Sequence, residues 1–372
     1  MLIKRPLKDV GPWRGIFEPS TVTSFSERKR VVDKHGLLDV PGWLNCYTGQ
    51  FPIGGSMRII DMHCDTISEL LKKKRAGQAE CLLHNSGHVD LERMQKSGYL
   101  LQNFAMFVNL GDCEEPWQEV CKLYQLYQEE MCLNQNRIQP VLCYSDIAKN
   151  EAAGKLSALL MVEEGGVCGG EIEKLRALYH MGVRMLTLTW NYPNELGYPN
   201  KQEGALTETG RAFVYEMERL GMIVDVSHLS DAGFYDVLSQ TKKPFVASHS
   251  NARAICPSAR NLSDDMIRGL SHAGGCMGLN FYAHFLRMVP QGEKNPGTIR
   301  DVVLHAKHIV KVGGIEVLGI GSDFDGIDTH EELPGVQSME LLWDALHCAG
   351  FTQGQLDKIF WGNVLRVYRD AL

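Results

Sequence analysis

The segment RIIDMHCDTIS sets an imidazole and a carboxylate, His63 and Asp65, at the end of a short apolar run. Four later segments repeat the arrangement. ALLMVEE ends in Glu163 and Glu164, MIVDVSH in His228, PFVASH in His249 and VLGIGSD in Asp323. Histidine nitrogen and carboxylate oxygen are the donors taken by zinc and its divalent neighbours. Three histidines and two or more carboxylates exceed what one catalytic tetrahedral ion needs. They suit two ions about 3.5–4 Å apart that share a carboxylate and a water. Such a pair makes hydroxide available near neutral pH and polarises a carbonyl oxygen, which is the equipment for hydrolysing an amide. In extended chain, residues two apart point to the same side, so His63 and Asp65 can serve one ion. Any one of these residues alone reads most simply as a hydrogen-bonded structural group; the signal is their repetition at five strand ends.

Those strand ends need a frame that brings them together. From residue 57 onward, short β-rich runs alternate with stretches of helical period. The expected strands are 58–63, 101–107, 158–163, 184–190, 222–228, 244–249, 276–281 and 317–323. Helical patterns lie between them, clearest in EEPWQEVCKLYQLYQEEMCL, EIEKLRALYHMG, TETGRAFVYEMERLG and TIRDVVLHAKHIVKVGG. Several end in Gly, a frequent C-cap, and the third opens on a Thr suited to N-capping. Eight strands with helical crossovers predict an α/β fold, a (β/α)8 TIM barrel with a binuclear metal site at the C-terminal face of the strands. An open doubly wound sheet is the alternative, but no G-x-G-x-x-G follows the first strand.

The chain has 372 residues and a formal net charge of −7, which argues against nucleic acid or an anionic membrane as partner. Its 11 cysteines are scattered, with no C-x-x-C pair, and read as thiols of a reducing compartment. The start, MLIKRPLKDVGPWRG, lacks the apolar h-region of a signal peptide, and no apolar run reaches the ~18 residues of a spanning helix. A soluble cytoplasmic protein is expected. Residues 1–56 differ from the rest, being rich in Pro, Gly, Ser and basic residues, with SFSERKRVVDKHG the one stretch of helical character. They read as an N-terminal extension, or as a segment upstream of a natural start at Met57. Residues 57–372 read as one metallohydrolase domain.

DMHCDT, VEEGG, LRALYHMGVRMLTLTW, RLGMIVDVSHLS, ASHSNAR, ARNLSDD, GIGSDFDG and the terminal GNVLRVY together resemble the membrane (renal) dipeptidase family, peptidase family M19 of the amidohydrolase-like barrels. The resemblance runs from about residue 58 to the C-terminus. It implies two divalent metal ions per chain, of zinc type, and hydrolysis of dipeptides, including those with a C-terminal D-residue. His63 and Asp65 resemble the ligands of one ion, and His228 and His249 those of the other. Glu163 matches the bridging carboxylate by an ungapped count back from LRALY; Glu164 matches by a one-residue slip. Asp323 is similar to the family's acidic proton shuttle, and Arg260 to the arginine that binds the substrate's terminal carboxylate. Where well-studied members carry a His after LTLT, this chain has Trp190 followed by Asn191; both are expected at the substrate, with Asn191 as a possible donor. The family also implies a homodimer. A different small amide or lactam as substrate, or a metal-bound barrel that only binds, are the competing readings.

Other polar residues are read as structural. His305 and His308 are expected on a helix surface, and His84 and His88 in solvent. Asp325 is expected to hold the loop after the last strand, and TWNYPNELGYPN to form a loop over the barrel mouth.

Overall fold

The computed structural model describes residues 57–290 and 292–372. The extension 1–56, with its stretch of helical character, lies outside the described residues. Among the described residues there are nine parallel strands: β1 (Ile59–Cys64), β2 (Tyr99–Phe107), β3 (Ile138–Pro140), β4 (Leu156–Glu163), β5 (Val183–Thr187), β6 (Ile223–Asp225), β7 (Val246–Ala247), β8 (Cys276–Leu279) and β9 (Leu318–Ile320). Eight of them close a ring in the order β1, β2, β4, β5, β6, β7, β8, β9, with β9 pairing back to β1. The fold is the (β/α)8 barrel. Each of the eight expected segments supplies one ring strand. The ninth, β3, pairs only with the first residues of β4, Leu156 to Ala158, below the point where β5 joins at Leu160. Three residues ending in Pro140 carry too little pattern to announce themselves as a strand.

The ring strands run almost wholly buried, as a parallel sheet covered by helices requires. The helices start and stop on local chemistry. Thr207, Ser230, Ser263 and Thr298 each cap a helix by accepting a backbone N–H of its first turn with the side-chain hydroxyl. Helix Glu208–Leu220 ends at Gly221, whose φ of 79° a side chain would oppose. The C-terminal helix Asn363–Ala371 seals the end of the barrel opposite the site. Tyr368 is fully buried and donates its hydroxyl to Asn103 Oδ1 at 2.8 Å, while Asn363 donates to the carbonyls of Ile315 and Leu318.

The ladders are shorter than expected at the mouth. β6 stops three residues before His228, β7 two before His249 and β9 three before Asp323. β5 likewise stops at Thr187, so Trp190 is not on a strand. The cause is local. Buried aspartates take over backbone donors that a longer ladder would have used: Asp225 accepts from Ser227 N and Ser248 N, and Asp61 from His63 N and Ser322 N. The chain then turns through left-handed conformations at His228 (φ 68°) and Asp323 (φ 66°).

Candidate metal centre

His63, Asp65, Glu163, His228, His249 and Asp323 come together at the C-terminal mouth, and every one of them is buried. Glu163 lies at their centre. Its Oε2 is 3.4 Å from His63 Nε2, and its Oε1 is 3.1 Å from His228 Nε2 and 3.4 Å from His249 Nε2. One carboxylate therefore faces two groups of donors, one with each oxygen. His63 Nε2 is also 3.2 Å from Asp65 Oδ2 and 3.9 Å from Asp323 Oδ1. Glu164, one residue on, points elsewhere. Its φ of 94° turns the carboxylate onto Gly166 N, Trp190 N and Asn194 Nδ2. It organises the loop over β4 and β5, while Glu163 faces the donors.

The arrangement fits divalent cations on its own chemistry. His228 Nε2 and His249 Nε2 face each other at 3.1 Å beside a carboxylate oxygen. Burial, with Arg260 nearby, pushes the His228 imidazole down to about 4; burial, His63 and Arg260 push His249 well below the usual range. Both rings are held neutral, the form that ligates. At His63 the balance runs the other way. Burial opposes its charge, but the carboxylates of Glu163 and Asp65 outweigh burial and hold the imidazolium well above its ordinary range. The two carboxylates thus favour a positive charge between them, which a bound cation would supply in place of the proton. Asp65 Oδ1 is buried with no protein partner.

A supporting layer, not singled out from the sequence, fixes these rings. Ser248 Oγ lies 2.7 Å from His249 Nδ1 and donates to Asp225 Oδ2 at 2.6 Å, and Thr187 donates to the same oxygen. Nδ1 is thereby the protonated nitrogen, and Nε2 is left to the site. Asn280 donates to Asp323 Oδ2 at 2.8 Å. Burial raises the Asp323 carboxyl to about 7; His63 opposes this, and the charges of Asp65 and Glu163 add to it. Asp61 and Asp225 carry a signal that was available: each is an acid inside an otherwise apolar strand, shortly before a site histidine.

The remaining expected residues also sit at the mouth. Arg260 is buried, donates Nη1 to Ser250 Oγ at 2.6 Å, and has Nε and Nη2 without partners. Burial lowers it to about 10. Trp190 packs edge-on against Phe107 at 4.8 Å and lies 6.2 Å from the His228 ring. Asn191 Oδ1 is 3.4 Å from His228 Nδ1, so its carbonyl faces the histidine. The described non-glycine residues with positive φ, Glu164, His228, Asp323 and Asp325, are all at this mouth, where strain is held by the surrounding bonds.

Two expectations outside the site, for His305 and His88, need correction. His305 is not on a helix surface: it is fully buried, accepting from Ala252 N at Nδ1 and donating Nε2–H to Leu286 O. His308 is partly buried and pairs with Asp264 at 2.7 Å. His88 is not simply solvated, since its Nδ1 accepts from Asp325 N while its own N–H donates to Asp325 Oδ1. Helical spacing does not say which neighbouring loops will cover a residue. Asp325 does hold its loop, and also accepts from Thr66 Oγ1 at 2.7 Å.

Among the described residues, no helix is long and apolar enough to cross a membrane. The family model for membrane dipeptidase, peptidase family M19, matches residues 52–372. A Schizosaccharomyces pombe protein described as an uncharacterized dipeptidase is 30% identical over 343 residues, 84% of this chain and 80% of its own length. A Klebsiella pneumoniae protein, described only by its place 5′ of pqqA, is 33% identical over 264 residues, 68% of this chain and 95% of its own. Among solved structures, an M19 metallopeptidase described as dipeptidase AC superposes with a TM-score of 0.79 at 26% identity, covering 85% of this chain and 99% of that one. A Rhodobacter sphaeroides metallopeptidase liganded with a phosphinate mimic of L-Ala-D-Ala has the same fold, with a TM-score of 0.78 at 24% identity, covering 86% and 100%. The chain belongs to the M19 membrane dipeptidase family and is a metallodipeptidase by class.

Proposed function

We propose that this protein hydrolyses the peptide bond of dipeptides with two zinc ions. The observation that carries the reading is the Glu163 carboxylate, which faces His63 with one oxygen and His228 and His249 with the other. His63 and Asp65 would hold one ion, His228 and His249 the second, and Glu163 would be shared. Bound there, the ions supply a hydroxide nucleophile near neutral pH and an electrophile for the scissile carbonyl.

The protein's own groups do the rest. Arg260 has two buried N–H groups without protein partners, a pairing a carboxylate would complete in bidentate fashion. A substrate anchored there by its C-terminus is short, because the guanidinium is fixed to Ser250, the neighbour of His249. Asp323, with Oδ2 held by Asn280, presents Oδ1 towards His63. It takes the proton released on attack and delivers it to the leaving amine. Trp190 and Asn191 border the substrate beside His228. The family resemblance extends the reading to C-terminal D-residues, to a homodimer and, with composition, to a cytoplasmic location.

The test is amine release from a panel of L-L and L-D dipeptides, with added zinc and with a chelator. Chelator-sensitive cleavage of dipeptides but not tripeptides is expected. Two bound metals without dipeptide cleavage, but with turnover of N-acyl amino acids, would move the assignment to another small amide.

A further inference from the structure

We infer that Phe107, Trp190 and Tyr192 form an apolar subsite for the side chain of the substrate's N-terminal residue, and that the enzyme selects dipeptides with a large apolar N-terminal residue. The inference rests on the dipeptidase reading and on Arg260 as the carboxylate anchor.

The ring order supplies the geometry. In the sequence β1, β2, β4, β5, β6, β7, β8, β9, strand β2 stands four places from β7, diametrically across the barrel. Arg260 is fixed to Ser250 in the segment that follows β7. Phe107 is the last residue of β2, and its register partner on β4 is Glu163. Residues paired in register share a face of the sheet, so the Phe107 ring and the Glu163 carboxylate emerge on the same side. A dipeptide with its carboxylate on Arg260 crosses the donor cluster about Glu163. Its N-terminal half then arrives at β2, β4 and the loop after β5.

What waits there is aromatic. The Trp190 indole lies edge-on to Phe107 at 4.8 Å, 6.1 Å from Tyr192 and 6.2 Å from His228. Phe107 and Trp190 are half-buried, and Tyr192 is 42% exposed. The rings therefore keep open surface at the rim. Tyr192 also lies against Gly111 so closely that a Cβ there would come within 2.6 Å of its hydroxyl, which ties the loop after β2 to the loop after β5. The three side chains carry no formal charge. An acidic N-terminal side chain would lose hydration against rings that offer it no charged partner, a glycine would leave the rings wet, and Leu, Met or Phe would cover them.

The experiment is kcat/KM with zinc-loaded enzyme for Gly-Ala, Ala-Ala, Leu-Ala, Phe-Ala and Asp-Ala, and for Leu-Gly and Leu-Leu. Leu-Ala and Phe-Ala are expected to exceed Gly-Ala by about tenfold or more, with Asp-Ala lowest. In Trp190→Ala the Leu-Ala to Gly-Ala ratio should fall towards unity, whatever the absolute rates, while Trp190→Phe should keep most of it. The Leu-Leu to Leu-Gly ratio should be the same in all three proteins. A flat profile in the unmodified enzyme overturns the inference, and so does an unchanged ratio in Trp190→Ala and Phe107→Ala. Those outcomes leave the dipeptidase reading standing, because dipeptides are still cleaved. No cleavage of any dipeptide overturns both.

Discussion

At the scale of single residues, the two glutamates of VEEGG divide the labour. Glu163 continues β4 into the donor cluster, and Glu164, at a φ of 94°, is spent on backbone N–H groups. Glu163→Gln keeps the shape but removes the shared charge. It is expected to lower the metal content measured by mass spectrometry of the native protein from two ions per chain and to weaken metal affinity at least ~100-fold. Retention of both ions would sink the shared-ligand role. Arg260→Lys is expected to raise KM for dipeptides about tenfold or more with a smaller change in kcat, because an ammonium cannot reproduce a planar two-pronged contact. An unchanged KM would place the substrate carboxylate elsewhere. His305 makes a pH prediction. Burial lowers its imidazole to about 4 from an ordinary 6.5. The folded state thus disfavours the proton, so this contribution is complete above pH 6.5 and is lost as pH falls towards 4. It amounts to up to about 3 kcal/mol. Urea unfolding of His305→Gln should show a lower stability at pH 7 but a shallower fall to pH 4.5 than the unmodified protein. Parallel curves would assign the acid sensitivity to other groups.

At the scale of elements, the site is made by ladders that stop early. Asp225 and Asp61 accept the backbone donors of the strand ends, and the chain is released to turn at His228, His249 and Asp323. The turn after β9 is crowded: a Cβ on Gly326 would lie 2.2 Å from Asp65 Oδ2 and 2.8 Å from Asp323 Oδ1. Gly326→Ala is therefore expected to displace both carboxylates. Metal content and kcat should fall, while the far-UV circular dichroism of the barrel is unchanged. A variant with full metal content would show that the loop relaxes without cost to the site.

At the scale of the whole molecule, the family match begins at residue 52 and the described barrel at residue 57. We propose that residues 57–372 form a single metallohydrolase domain. A protein starting at Met57 is expected to be soluble, to bind two zinc ions and to cleave dipeptides at a rate within about threefold of the full chain. An insoluble or inactive product would give residues 1–56 a structural part in the domain.

Much of this was legible in one chain. Alternating β-rich and helical periods announced the eight ring strands, because burial on both faces of a parallel sheet demands continuous apolar runs. Polar residues at the ends of those runs announced the mouth, because a charge beside an apolar strand is costly unless something holds it. The family motifs supplied the pairing of roles. Other features were decided only by the fold. Which of two adjacent glutamates faces the donors depends on one backbone torsion. The burial of His305 and the His88–Asp325 contact depend on loops far apart in sequence. The Ser248–Asp225 support of His249 joins the end of β6 to the segment after β7. The contact of Phe107 with Trp190 exists because β2 and β5 flank β4 in the closed ring. Period and composition report local preference and burial, whereas these contacts are set by closure of the barrel, which no single segment encodes.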